Sequence, residues 1–157
     1  MDQPAFDIVP DATYHVTVTT NRGVIEMDLD AQLAPQTVNN FVGLAKQGVY
    51  DGLTFHRVVP EFVIQGGDPE GTGAGGPGYK FADEPVTVEY TLGAVAMANA
   101  GRNTNGSQFF ICIDDCTRKL AKSYNLFGYV SSGIEVAQAT EVGDVMQSVK
   151  VDEPVSK

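Results

Sequence analysis

Residues 55–68 read FHRVVPEFVIQGGD. β-Branched and aromatic residues bracket a Val59-Pro60-Glu61 turn, which predicts two short strands. The stretch sets one permanent cation, Arg57, near an apolar pair, Phe62-Val63, and a neutral hydrogen-bonding side chain, Gln65. Arginine stays charged and presents a rigid fork of donors. No acid or base of tunable pKa is central to the group. It therefore suits a site that holds an uncharged ring and touches the peptide beside it, and does not suit proton-transfer chemistry. Residues 97–110, MANAGRNTNGSQFF, supply matching partners.

Upstream, Tyr14, Val16 and Val18 alternate with His15, Thr17 and Thr19. After the Asn21-Arg22-Gly23 turn, Ile25, Met27 and Leu29 alternate with Glu26 and Asp28. The two-residue period predicts a β-hairpin, with His15 on its polar face. Pro35 opens a helix, where its missing N–H costs nothing. Val38, Phe41, Val42 and Ala45 then share one face, and Gly48 ends the helix as a left-handed cap. That face carries no nucleophile or charge, so the helix reads as a lid over one end of the core.

Downstream, Gly71, Gly73 and Gly76 formally match G-x-G-x-x-G. A dinucleotide loop must open a helix whose N-terminus holds the pyrophosphate. Pro77-Gly78 follow instead, with no helical period, so the segment reads as a surface loop rimming a groove. Residues 86–88 and 93–98 are strand-like. In residues 108–113, Gln108, Phe110 and Cys112 share one strand face, and Phe109, Ile111 and Ile113 the other. A glutamine beside Phe110 is either a satisfied core amide or part of a groove. Residues 124–130 and 145–151 are further strands. Ser132-Gly133-Ile134-Glu135 has the form of a capping box and starts a second helix running to about Glu141. The tally is about eight strands and two helices. A closed antiparallel barrel capped by the two helices leaves the fewest bare edges.

The chain has 157 residues, 43% of them apolar, enough for one domain with one buried core. Residues 1–11 carry two prolines and little pattern, and read as a poorly ordered arm before a domain spanning residues 12–157. A net charge of −10 repels phosphate backbones and argues against nucleic acid. The N-terminus lacks the basic and apolar regions of a signal peptide, and the longest apolar run, residues 94–98, is too short to span a bilayer. A cytoplasmic, membrane-free protein is expected. Cys112 and Cys116 have too few histidines nearby for a zinc site, and Cys112 reads as a small buried strand residue. Two histidines and no G-x-S-x-G elbow leave a hydrolase triad without support.

In order and spacing, FHRVVPEFVIQGGD, GTGAGGPGYKFADE and MANAGRNTNGSQFFI resemble the cyclophilin family of peptidyl-prolyl cis-trans isomerases. The resemblance runs from Tyr14 to Val151. It implies an eight-stranded barrel with two helices, and rotation about X-Pro bonds without cofactor or metal. It further implies that Arg57 is the catalytic arginine. The proline pocket falls on Phe62, Val63, Phe110 and Leu120, with Tyr124 beside them. Gln65, Asn99 and Gln108 become partners for the substrate backbone, Ala98 and Ala100 the rim, and Gly71-Thr72 the border of a pocket for residues before proline. His56 either supports the groove or is an imidazole with no part in it. Expected partners are proline-containing peptides and unfolded or folding proteins, bound by a monomer; the other reading is a proline-peptide binding module or chaperone without turnover. The sequence departs from the family at Val63, where many members carry methionine. Lys119 and Tyr124 replace a tryptophan and a histidine of cyclosporin-sensitive members, so weak cyclosporin binding is expected.

Overall fold

The computed structural model describes residues 2–156. Met1 and Lys157, the outer limits of the arm and domain read from the sequence, lie outside the described residues. Strands β1 (Ala12–Thr20) and β2 (Gly23–Asp30) form the expected hairpin. Its register runs from Thr13 opposite Asp30 to Thr20 opposite Gly23. Tyr14, Val16, Val18, Ile25, Met27 and Leu29 are all buried, as the alternation requires.

Helix α1 (Pro35–Lys46) follows, with Val38, Phe41, Val42, Leu44 and Ala45 buried. Its N-cap, Ala34, has no side chain to offer the first N–H groups. Glu84 supplies the cap from elsewhere in the chain: its carboxylate accepts from the N–H groups of Gln36 (3.0 Å) and Thr37 (2.7 Å). A negative group there also complements the positive end of the helix. Gly48, at φ +75°, turns the chain away, and Val49 N–H donates to Leu44 O at 3.0 Å. Residues 4–8 run along this helix. Asn39 accepts from Asp7 N–H at 2.9 Å and donates to Pro4 O and Ala5 O.

Beyond α1 come β3 (Phe55–Val59), β4 (Val63–Gly66), β5 (Ala94–Met97), β6 (Phe109–Cys112) and β7 (Leu126–Ser132). Helix α2 (Ile134–Ala139), β8 (Met146–Val151) and a short β9 (Val155–Ser156) complete the chain. Eight strands pair antiparallel in one curled sheet, order β3-β4-β6-β5-β7-β2-β1-β8, with β9 pairing β1. The barrel expected from the sequence is met in this coarser form. The edge strands β3 and β8 share no ladder; they meet through the isolated bridge of Thr54 with Val145.

The central strands are buried on both faces. Val95, Met97, Phe109, Ile111 and Phe127 point into the main core, where Phe41 stacks on Tyr50 and Phe109 meets both edge-on, at centroid distances of 4.7–5.6 Å. Ala94, Ala96, Phe110, Cys112 and Leu126 point the other way, into a second cluster with Val63 and Tyr90. The face assignment of residues 108–113 therefore holds.

Two local expectations fail. Residues 86–88 form no strand; Val86 and Val88 alternate because both pack on the second cluster. The capping box is absent, since Ser132 ends β7 and Gly133, at φ +84°, is the N-cap of α2 with no side-chain cap bond. A Cβ at Gly133 would stand 2.2 Å from Val24 O, so close packing against β2 sets this helix start.

One corner joins the hairpin turn to the segment before β8. Arg22 Nε donates to Asp144 Oδ2 at 2.6 Å, and its Nη2 reaches Asp144 Oδ1 (3.1 Å) and Glu141 Oε2 (2.7 Å). Asn21 and the Glu141 N–H also donate to Asp144. The Arg22 bond, helped by these donors and opposed by burial, holds the Asp144 carboxyl far below the usual range.

Candidate functional site

A bulge aims the central cation. Phe55 pairs with Gly66, and Arg57 with Gln65, so His56 is the extra residue. Phe55 and Val58 face the main core. Strict alternation from Phe55 would have sent Arg57 inward as well; the inserted residue turns it outward. Arg57, Gln65, Phe110 and Ala96 are then successive register partners across β3, β4, β6 and β5. A cation, an amide, an aromatic ring and a small residue thus stand in a row on the outer face.

Its first three members line an open cleft of about 530 Å³, and Ala96 is buried behind them. Arg57 and Gln65 line it with the apolar groups Phe62, Val63, Phe110 and Leu120. Thr72, Ala98, Asn99, Tyr124 and His56 complete the wall, together with Gly73. The Tyr124 ring meets Phe110 edge-on, centroids 5.6 Å apart. Buried Tyr90 fixes it from behind: its hydroxyl donates to Tyr124 O and accepts from Tyr124 N–H at 3.1 Å. Burial pushes the Tyr90 hydroxyl up to about 12, so it stays a neutral strut.

A chain of amides runs from the cleft into the hollow beside it. Arg57 Nη1 donates to Gln65 Oε1 at 3.3 Å. Gln65 Nε2 donates to Gln108 Oε1 at 2.9 Å, and Gln108 Nε2 donates to Gly73 O (3.0 Å) and Gly75 O (2.8 Å). Asn99 Nδ2 donates to Ser123 O at 2.9 Å, and its Oδ1 accepts from Gly101 N–H. An amide side chain offers two donor hydrogens and two lone pairs. Gln65 and Asn99 each retain one of both, and Gln108 one lone pair. Their internal bonds aim them without exhausting them.

Asp68 shapes the glycine-rich loop. Its carboxylate accepts from the N–H groups of Glu70, Thr72, Gly73 and Gly75 at 2.7–3.1 Å. Burial opposes ionisation, but these four bonds outweigh it and hold the carboxyl below its usual range. Gly71 stands at φ +69° on the turn of this loop, outside the cleft lining. Ala100 and Gln108 line a neighbouring hollow of about 830 Å³ that shares Gln65, Gly73, Ala98 and Asn99 with the cleft. His56 is half-buried, and both its ring nitrogens are shielded and without hydrogen-bond partners among the described residues.

Most of the residues named from the sequence thus meet in one place, with Ala100 and Gln108 in the adjoining hollow and Gly71 outside. Asp68, Gly73 and Tyr90 were missed. An aspartate followed by N–H groups freed by three nearby glycines is a readable signal for the first two. Tyr90 gives no local signal, because its contact with Tyr124 is tertiary. Among the described residues, no helix is long and apolar enough to cross a membrane.

Comparison with known proteins agrees with this geometry. The family model for cyclophilin type peptidyl-prolyl cis-trans isomerases matches residues 15–156. Peptidyl-prolyl cis-trans isomerase B of Bacillus subtilis is 50% identical over 130 residues, covering 82% of this chain and 90% of the relative. A peptidyl-prolyl cis-trans isomerase of Helicobacter pylori is 45% identical over 141 residues, covering 87% and 86%. A Cryptosporidium parvum cyclophilin type isomerase superposes with a TM-score of 0.82 at 31% identity, over 90% of this chain and 98% of that one. The same protein was crystallised in the presence of the dipeptide Ala-Pro, where the TM-score is 0.81 at 31% identity over 88% and 99%. The curled antiparallel sheet with its two helices is that of a cyclophilin-type peptidyl-prolyl cis-trans isomerase, and to that family this chain belongs.

Proposed function

We propose that Arg57 is the catalytic group of this isomerase and that it acts by hydrogen bonding alone. Peptide resonance sets a barrier of about 18–20 kcal/mol to rotation. In the twisted transition state the prolyl nitrogen lone pair leaves the carbonyl and becomes an acceptor. The guanidinium donates to it more strongly there than in either planar isomer, which is catalysis by differential binding. No bond breaks and no covalent intermediate forms. The observation carrying this reading is the setting of Arg57: beside an apolar slot, exposed, with one neutral partner, Gln65.

Phe62, Val63, Phe110, Leu120 and Tyr124 grip the ring. Gln65, Gln108 and Asn99 hold the peptide through their spare amide capacity, with Ala98 and Ala100 on the rim, so rotation falls on one bond. Gly71-Thr72 and the neighbouring hollow take residues before the proline. His56 supports the groove by filling the bulge next to Arg57. A preorganised donor of this kind contributes about 3–4 kcal/mol. Arg57→Ala therefore slows catalysed X-Pro exchange, read by NMR on short peptides, by roughly 10²–10³ with the fold intact. Near-normal turnover in the folded variant would remove Arg57 from the chemistry. Line broadening in the wild type also separates catalysis from mere proline-peptide binding.

The same reading covers partners and setting. Proline-containing peptides and folding chains are the substrates, and a monomer acts on them. Lys119 and Tyr124 leave no indole for cyclosporin, so inhibition is weak; a nanomolar inhibition constant would contradict this. Buried Cys112 and Cys116 thiols suit a reducing cytoplasm. Residues 12–157 carry the activity. Backbone bonds from Gly52 N–H to Met146 O (2.7 Å) and Phe55 N–H to Asp144 O (2.9 Å) support closure of the sheet into a barrel.

A further inference from the structure

Lys119 is absent from the cleft lining, yet it joins the two segments that carry its apolar walls. One is the turn between β3 and β4. There Glu61 adopts a left-handed backbone, φ +61°, a conformation sparsely populated by residues with a side chain. Such an outlier persists where its surroundings hold it. The next residue is Phe62, whose side chain lines the slot. The other segment, residues 113–120, ends in Leu120 on the facing wall.

Three donors of the second segment converge on two consecutive carbonyls of the first. Ile113 N–H donates to Phe62 O at 2.9 Å. The Cys116 thiol donates to the same oxygen at 3.3 Å. The Lys119 ammonium donates to Glu61 O. Asp114 Oδ2, 3.6 Å from Lys119 Nζ, balances the charge. The first two bonds fix the carbonyl of Phe62. Lys119 alone of the three holds the strained residue before it, and a charged donor makes the stronger bond.

We propose that Lys119 is a positioning residue for the prolyl slot. By clamping the Glu61 carbonyl it sets where the Phe62 ring stands opposite Leu120. Its loss loosens the grip on the proline ring and leaves the Arg57 donor where it is. This rests on the reading of the Arg57 cleft as the prolyl site.

The test separates kcat from KM by exchange NMR on an X-Pro peptide, for K119M, K119R and D114N. K119M keeps the stem and removes the donor. It is expected to raise KM about 3–10-fold with kcat within about twofold, the pattern of lost uniform binding. Its Tm stays within about 2 °C of wild type, as for a surface change. K119R restores at least half of the lost affinity because it keeps a charged donor. D114N shifts KM less than about twofold, since an exposed ion pair contributes little. A KM for K119M within about 1.5-fold of wild type overturns the clamp, as does a loss that K119R does not recover or one confined to kcat. An active R57A sinks the site reading itself, whereas an inactive R57A beside an unchanged K119M sinks the clamp alone.

Discussion

Arg22 and Arg57 are the same side chain in two settings. Arg22 spends three of its five donors on the carboxylates of Asp144 and Glu141, at 2.6–3.1 Å. The fork of Arg57 is nearly empty, with one 3.3 Å bond to a neutral amide. Among the described residues no carboxylate stands within ion-pair distance of Arg57, although Asp and Glu outnumber Lys and Arg by 20 to 10. A guanidinium that spends most of its donors on carboxylates holds the chain together. One aimed by a neutral neighbour keeps its donors for a visitor, and gains most when that visitor excludes water.

The largest expected effect tests this division at Arg57. Its removal costs turnover by the roughly 10²–10³ given above and leaves Tm within about 2 °C, because no folded-state partner is stranded. Arg57→Lys sharpens the point. It keeps the charge and loses the planar fork, so an activity at least about tenfold below wild type is expected from peptide exchange rates. Full activity in the lysine variant would show that charge alone suffices.

The converse belongs to Asp144. Asp144→Asn removes the charge and one of the two oxygens that Arg22 binds, and should lower Tm by about 5 °C while peptide exchange stays within about twofold of wild type. The pH dependence follows from the same geometry. The folded Asp144 carboxyl lies well below its unfolded value of 3.8, and that of Asp68 is also lowered. Below 3.8 the unfolded chain takes up protons that the folded chain refuses. The stability these carboxylates contribute is present above that pH and lost as pH falls through the folded values. Thermal melts should therefore drop steeply below about pH 4, and the drop should be shallower in D144N. An identical acid profile for the variant would separate Asp144 from the acid response.

What the residues reveal before folding divides along the same line. The hairpin, the apolar face of α1 and the two faces of residues 108–113 follow from periodicity, because each depends on neighbours along one element. The bulge at His56 was written in the sequence and passed over: Phe55 and Val58 are both core residues at a spacing of three, which a regular strand does not allow. The capping box failed because Gly133 must approach Val24 closely, a demand set by packing against β2. Arg57 and Gln65 were legible as a pair across a predicted turn. The pairing of Arg22 was not, since Asp144 is 122 residues away. Proximity of that kind comes from topology.

Glu84 gives a smaller effect of the structural kind. It caps α1 from 48 residues away and takes the Thr37 hydroxyl at 2.7 Å as well. Glu84→Ala leaves the Gln36 and Thr37 N–H groups without an acceptor and removes a negative charge from the helix N-terminus. A fall in Tm of about 3 °C is expected, with peptide exchange unaltered. Glu84→Gln keeps an acceptor and should recover part of it. If the two variants melt alike, charge rather than the hydrogen bond accounts for the cap.

The smallest effect comes from His15, which lies between the two arginines in character. Its ring bridges Asp28 (2.8 Å) and Glu26 (3.0 Å) on the outer face of the hairpin, with 31% of the side chain exposed. The hydrogen bond to Asp28, then that to Glu26, raises its pKa above 6.5. A raised folded value gives stability that is fully present below 6.5 and is lost as pH rises through it. The exposure limits the size: screened surface pairs contribute about 0–1 kcal/mol, so Tm should decline by about 1–2 °C on raising the pH from about 6 to above neutrality. His15→Gln should flatten that slope and leave the acid limb due to Asp144 untouched. A slope that survives the substitution would assign the decline to another group.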